Sequence, residues 1–148
     1  MNEDELVVWW PQPKAGDICR CWTPQLKDPP HPGPNRHPAL IVQVEQLLGY
    51  PDRFQVLIAP GTSKAERIFS GDIVIGNEPG ENQAMKSAGL TKATKFQLDE
   101  CHRVWLAYNS DYFECPAEKR TPVQGFLDLE TPSIKRKLNA AKKAIGMS

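Results

Sequence analysis

The chain has 148 residues, with 18 lysines and arginines against 18 aspartates and glutamates, and so a formal net charge of zero. That length suits one domain with a single real core, the balanced charge excludes a wholesale basic coat for nucleic acid, and no run approaches the roughly 20 apolar residues that span a bilayer. The charge is nevertheless uneven: Glu3, Asp4 and Glu5 make the start acidic, while Lys135, Arg136, Lys137, Lys142 and Lys143 make the end basic.

Acids stand where a signal peptide needs a positive region, so the expectation is a cytoplasmic protein with no membrane partner. The cysteines, Cys19, Cys21, Cys101 and Cys115, are too few and too irregular for a disulfide framework and are expected as reduced thiols. His102 adjoins Cys101, but Cys19-x-Cys21 lacks the spacing of a zinc knuckle and no matching pair follows. No metal and no other cofactor is expected.

Taken in order, residues 1–13 read as an arm carrying Trp9 and Trp10, and 14–148 as one domain. Asp17–Trp22 reads as a strand with Ile18, Arg20 and Trp22 on one face and Asp17, Cys19 and Cys21 on the other. The six prolines of 23–38 exclude regular structure and predict a long loop. A second strand follows at 38–44, and a turn at Gly49-Tyr50-Pro51-Asp52.

The stretch 54–63 begins as an apolar run of strand length. Its Pro60-Gly61 is expected to stop the strand and force a turn, presenting Thr62 and Ser63 at the end of a rigid element. Pairing of this strand with 38–44 would put those hydroxyls on one rim with Arg36 and His37. Ordinary loop chemistry also accounts for Pro-Gly-Thr-Ser. Residues 66–69 read as extended and Asp72–Ile75 as a short strand. Residues 79–88 read as helical with Gly89 as C-cap, and 92–98 and 102–107 as two further strands.

The last segment has the clearest helix signals. Thr131 can cap, Pro132 suits the first helical position, and Ile134, Leu138, Ala141 and Ile145 recur at three and four, predicting a helix over 132–145. Five to six short strands with these helices predict a mostly-β, α+β fold built on a strongly bent sheet or small barrel.

Four segments in order, Lys14-Ala-Gly-Asp-Ile-Cys-Arg-Cys-Trp, Arg36-His-Pro-Ala-Leu-Ile-Val, Ile58-Ala-Pro-Gly-Thr-Ser and Lys92-Ala-Thr-Lys-Phe-Gln-Leu, resemble the PemK/MazF (Kid-like) toxins of bacterial toxin–antitoxin pairs. The resemblance covers roughly residues 14 to 107, with a weaker echo in Thr121-Pro-Val-Gln-Gly and the closing helix. It implies a small SH3-like barrel with added helices, a homodimer, a cognate antitoxin partner, and metal-independent cleavage of single-stranded RNA. Carried over by position, it implies catalytic roles for His31, Arg36, Lys95 and Gln97, and RNA contacts from His37, Thr62, Ser63 and Thr94. Lys95 and Gln97 are departures, since the family has an arginine and an acid at those places.

Metal-free RNA cleavage uses the neighbouring 2′-hydroxyl as nucleophile. It needs a proton acceptor, a proton donor for the leaving 5′-oxygen, and cations or donors for the growing phosphate charge. Arg36 can clamp phosphate with a planar fork, and His31 or His37 can move protons near neutrality. Gln97 can do neither proton task, and Lys95 binds phosphate only as a point charge. An inactive module of the same fold that binds RNA or a protein partner is the alternative reading, and a toxin acting on a protein target is a third.

Overall fold

Apolar residues run almost without interruption through 38–42 and 54–59, the pattern of strands covered on both faces. In the computed structural model, which describes residues 7–24, 30–64, 67–116 and 119–147, these runs become the long strands β2 (Arg36–Gln46) and β3 (Phe54–Thr62). Around them lie β1 (Asp17–Trp22), β4 (Asp72–Ile75), the short helix α1 (Asn82–Ser87), β5 (Thr94–Gln97), β6 (Val104–Ala107), β7 (Val123–Phe126) and the C-terminal helix α2 (Pro132–Ala144).

The strands form one antiparallel sheet in the order β4-β5-β3-β2-β1-β7, with β6 beside β3. β3 changes neighbours along its length: Gln55 to Ile58 pair with β6, whereas Gly61 and Thr62 pair with β5. That change curls the sheet into a half-barrel and leaves an interior on each side. One core joins Ile18, Leu40, Val42 and Ala59 to Ile73, Ile75, Phe96 and the α2 residues Ile134, Leu138 and Ala141. The other joins Cys19, Cys21, Ala39, Ile41, Val56 and Ile58 to Leu106, Tyr108 and Phe113. Successive residues of a strand point to opposite faces, so β1 to β3 feed both cores at once.

The mostly-β reading with added helices and a C-terminal helix holds at this level. β1 and β4 keep their predicted limits, and α2 begins behind Thr131 with Pro132 in its first turn. Ile134, Leu138 and Ala141 are its buried residues, as their spacing requires. The helix expected over 79–88 is confined to Asn82–Ser87, and Gly89 follows it at φ +70°, the left-handed conformation of a helix-ending glycine.

Two expectations are corrected. Pro60-Gly61 does not end the strand: Pro60 pairs with Ala39 and Gly61 with Phe96. On the side that β6 and β5 share, pairing lapses between Ile58 and Gly61, and a proline placed in that lapse forfeits no ladder bond. Gly61 is needed for close approach, because a Cβ there would meet the Phe96 ring and the Pro38 carbonyl oxygen at 2.8 Å. Residues Arg67, Ile68 and Phe69 form no strand; Ala65 and Glu66 lie outside the described residues. β7, absent from the sequence reading, pairs with β1.

The described part of the arm packs on the domain that follows it. Trp10 donates its backbone N–H to the Tyr108 carbonyl and its indole N–H to the Phe113 carbonyl, both at 3.1 Å, and the Arg53 guanidinium lies over the Trp9 ring. Cys19 and Cys21 are buried as free thiols; burial pushes Cys19 up to about 12 and Cys21 further still, which makes both poor nucleophiles. Among the described residues no helix is long and apolar enough to cross a membrane.

Candidate functional site

Antiparallel pairing decides which strand ends meet. Arg20 of β1 lies opposite Pro38 of β2, and Ala39 lies opposite Pro60, so the start of β2 runs beside the end of β3. Thr62 in turn lies opposite Lys95 of β5, and β7 flanks β1 on the far side. The ends of five adjacent strands therefore converge on one rim.

Two adjoining hollows occupy that rim, of about 330 and 320 Å³, with His37, Pro38 and Gln124 common to both. Thr62, Ser63, Lys92 and Thr94 line the first; Arg20 and Arg36 line the second. Together they make a cleft whose charged lining residues are all cations, interleaved with hydroxyl and amide side chains. Larger hollows mix the signs: one of about 730 Å³ includes Lys14 with Asp17, Asp128 and Glu130, and one of about 580 Å³ includes Arg103 with Glu100.

The cleft is built by close backbone packing. Gly125 lets β7 lie against the end of α1, where a Cβ would come within 2.4 Å of the Ala88 carbonyl carbon and the Ser87 carbonyl oxygen. Its neighbour Gln124 donates from Nε2 to the Gly89 carbonyl at 3.1 Å, which fixes the amide on the cleft wall. Arg36 is held over the Trp22 ring, 5.5 Å from its centroid, and its Nη1 donates to Glu114 Oε2 at 2.7 Å.

Of the residues singled out from sequence, Arg36, His37, Thr62, Ser63 and Thr94 are brought together here. His31 is exposed and is not among the lining residues. Lys95 and Gln97 point away. Phe96 is in the core, so strand alternation puts Lys95 and Gln97 on the other face of β5. The Lys95 side chain is 7% exposed; its Nζ donates to the Arg67 carbonyl at 2.6 Å and lies 3.6 Å from Asp72 Oδ2. Asp72 Oδ1 is buried with no hydrogen-bond partner among the described residues. Gln97 Nε2 lies 3.4 Å from His102 Nε2, and His102 Nδ1 lies 2.7 Å from Asp99 Oδ1.

Arg20, Lys92, Gln124 and the neighbouring Glu114 are additions. Arg20 shares a strand face with Ile18 and Trp22, which was legible, but its place beside Arg36 depends on the β1–β2 register, which was not. The basic face of α2 is largely committed elsewhere: Lys135 pairs with Glu130, Arg136 with Glu78, and Lys137 with Glu78 and Glu81. Among the described residues no group of three or more His, Cys, Asp or Glu side chains gathers as a metal site.

Comparison with protein-family models gives no match, and comparison with curated proteins gives none.

Proposed function

We propose that this chain is a PemK/MazF-like endoribonuclease that lays single-stranded RNA along the cleft between β7 and β5 and cuts it without a metal. The observation that carries the reading is the all-cationic cleft with donors at its rim, which matches a phosphodiester backbone rather than an acidic or apolar surface. Arg36 presents a planar fork to phosphate, and Arg20 and Lys92 extend the positive track. Thr62 and Ser63 donate to phosphate oxygens or base edges, while Thr94 and Gln124, whose own donors go to the Lys92, Ala88 and Gly89 carbonyls, shape the wall. His37 is the titratable group at the centre, within reach of both hollows, and supplies proton transfer. In the same reading the curled sheet is an SH3-like barrel, the protein is a homodimer, and a cognate antitoxin blocks the cleft.

Incubating the protein with a mixed single-stranded RNA in EDTA tests this. The expected products carry a 2′,3′-cyclic phosphate and a 5′-hydroxyl. Binding of an uncleavable single strand should weaken with salt, with a log–log slope of about −2 for three phosphate-contacting cations. The absence of such binding would sink the RNA reading and send the search to a protein target.

A second reading, an inactive module that binds RNA or a protein, is favoured by one observation: Lys95 and Gln97, at the family's catalytic positions, face away from the cleft. Salt-dependent binding with no cyclic-phosphate product would select it.

A further inference from the structure

The cleft lining contains cations and a histidine but no carboxylate, so within the proposed reaction nothing in it accepts the 2′-hydroxyl proton while His37 serves the leaving group. One carboxylate adjoins the site from outside the segments that carry the family resemblance. Glu114 Oε2 accepts from Arg36 Nη1 at 2.7 Å, and Oε1 has no hydrogen-bond partner among the described residues.

Glu114 is held in place by backbone as well as by charge. Its N–H donates to the Arg20 carbonyl at 3.0 Å, the preceding Phe113 forms a bridge with Cys21, and the Trp22 N–H donates to the Tyr112 carbonyl at 2.7 Å. The 112–114 segment thus runs alongside the end of β1, next to the two arginines of the second hollow. The Glu114 side chain is 35% exposed, enough to be reached by a substrate. A carboxylate fixed by a rigid backbone, with one oxygen tied and the other open, is pre-organised for proton transfer.

We infer that Glu114 is the general base of this cleft, with Arg36 as phosphate clamp and His37 as general acid; the inference rests on the endoribonuclease reading. Glu114 takes the 2′-hydroxyl proton as the 2′-oxygen forms its bond to phosphorus. The bond from phosphorus to the 5′-oxygen breaks, and the His37 imidazolium protonates that oxygen. The products are a cyclic phosphate and a 5′-hydroxyl, with Glu114 protonated and His37 neutral until solvent resets both. Arg36 has donors enough to keep Glu114 while it receives phosphate.

The test is single-turnover cleavage of single-stranded RNA by wild type, Glu114→Gln and Glu114→Ala across pH, alongside binding of a 2′-deoxy oligonucleotide that cannot be cut. Glutamine keeps an acceptor for Arg36 but cannot take a proton. Glu114→Gln is expected to slow cleavage by about 10²–10⁴-fold and to lose the acid limb of the pH–rate profile, with 2′-deoxy binding and thermal midpoint unchanged. If Glu114→Gln restores what Glu114→Ala loses, Glu114 only positions Arg36 and the assignment as base is overturned. A cutting wild type beside an equally fast Glu114→Gln overturns the Glu114 assignment alone; a wild type that never cuts overturns the nuclease reading with it.

Discussion

Replacing Glu81 by alanine is expected to lower the unfolding free energy by about 3–5 kcal/mol, the range for breaking a buried ion pair from one side. Glu81 is 3% exposed, and its Oε1 accepts the Gly76 and Glu78 N–H groups at 3.0 and 3.2 Å while Oε2 accepts from Lys137 Nζ at 2.7 Å. Lys137 reaches it from α2 and also donates to the Val74 carbonyl, so this one carboxylate joins the turn after β4, the start of α1 and the C-terminal helix. Alanine takes from Lys137 its buried carboxylate and one of three hydrogen bonds, leaving the Val74 carbonyl and Asn77 Oδ1, and leaves two N–H groups without their acceptor. Denaturant unfolding of wild type and variant measures the loss, and a difference under 1 kcal/mol would refute the clamp.

The pH dependence has a definite sign. Burial alone would raise the Glu81 pKa, but Lys137 and the two backbone N–H donors outweigh it and hold the carboxyl below its ordinary 4.5. A depressed folded value means that the stabilisation is complete above the unfolded value and is lost as pH falls through the folded one. Wild type should therefore lose stability from about pH 4.5 downward more steeply than Glu81→Gln, and the two curves should run parallel above it.

The second large effect is on chemistry. His37→Ala is expected to slow RNA cleavage by about 10²–10⁴-fold, the usual contribution of a positioned acid–base group, while a 2′-deoxy oligonucleotide still binds. With His37 as the acid, the variant loses the alkaline limb of the pH–rate profile. Gln97→Asp is the informative companion, because it restores the acid that the family resemblance asks for. Gln97 faces His102 on the far side of β5, so the substitution should leave cleavage unchanged. A gain of activity in Gln97→Asp would show that RNA lies on that outer face and that the cleft has been misassigned.

Much of the fold was legible because local chemistry decided it. β1, β4 and α2 carry strong periodic or β-branched patterns with clear punctuation, and tertiary packing agreed with them. The Pro60-Gly61 break failed because a proline ends a strand only where its missing N–H faces a partner, and the edge on which β3 changes neighbours is a long-range property. β7 escaped because Val-Gln-Gly-Phe is short, lies just after Pro122 and buries little of itself. For the site, Arg36, His37, Thr62 and Ser63 could be grouped from two strands that had to pair. Lys95 and Gln97 entered by motif position, although alternation about the apolar Phe96 already argued that they share a face turned from the core. Glu114 had no signal at all, since a carboxylate beyond β6 meets Arg36 only after the chain has closed.

The change of neighbours along β3 has a further consequence. Its first half is zipped between β2 and β6 deep in one core, whereas β5 and β4 hang from it through the Gly61 and Thr62 pairings. The amides of β3 and β2 are thereby set to exchange with solvent only when the whole molecule opens. The β4–β5 ribbon has fewer strand pairs to break, but Ile73, Ile75 and Phe96 are fully buried in the core shared with β1, β2 and α2, so the ribbon cannot open without unpacking that core as well. Thr94 and Lys92 are thus carried on a ribbon tied to the molecule by packing more than by pairing, so a cavity made in that core would be felt on the cleft wall.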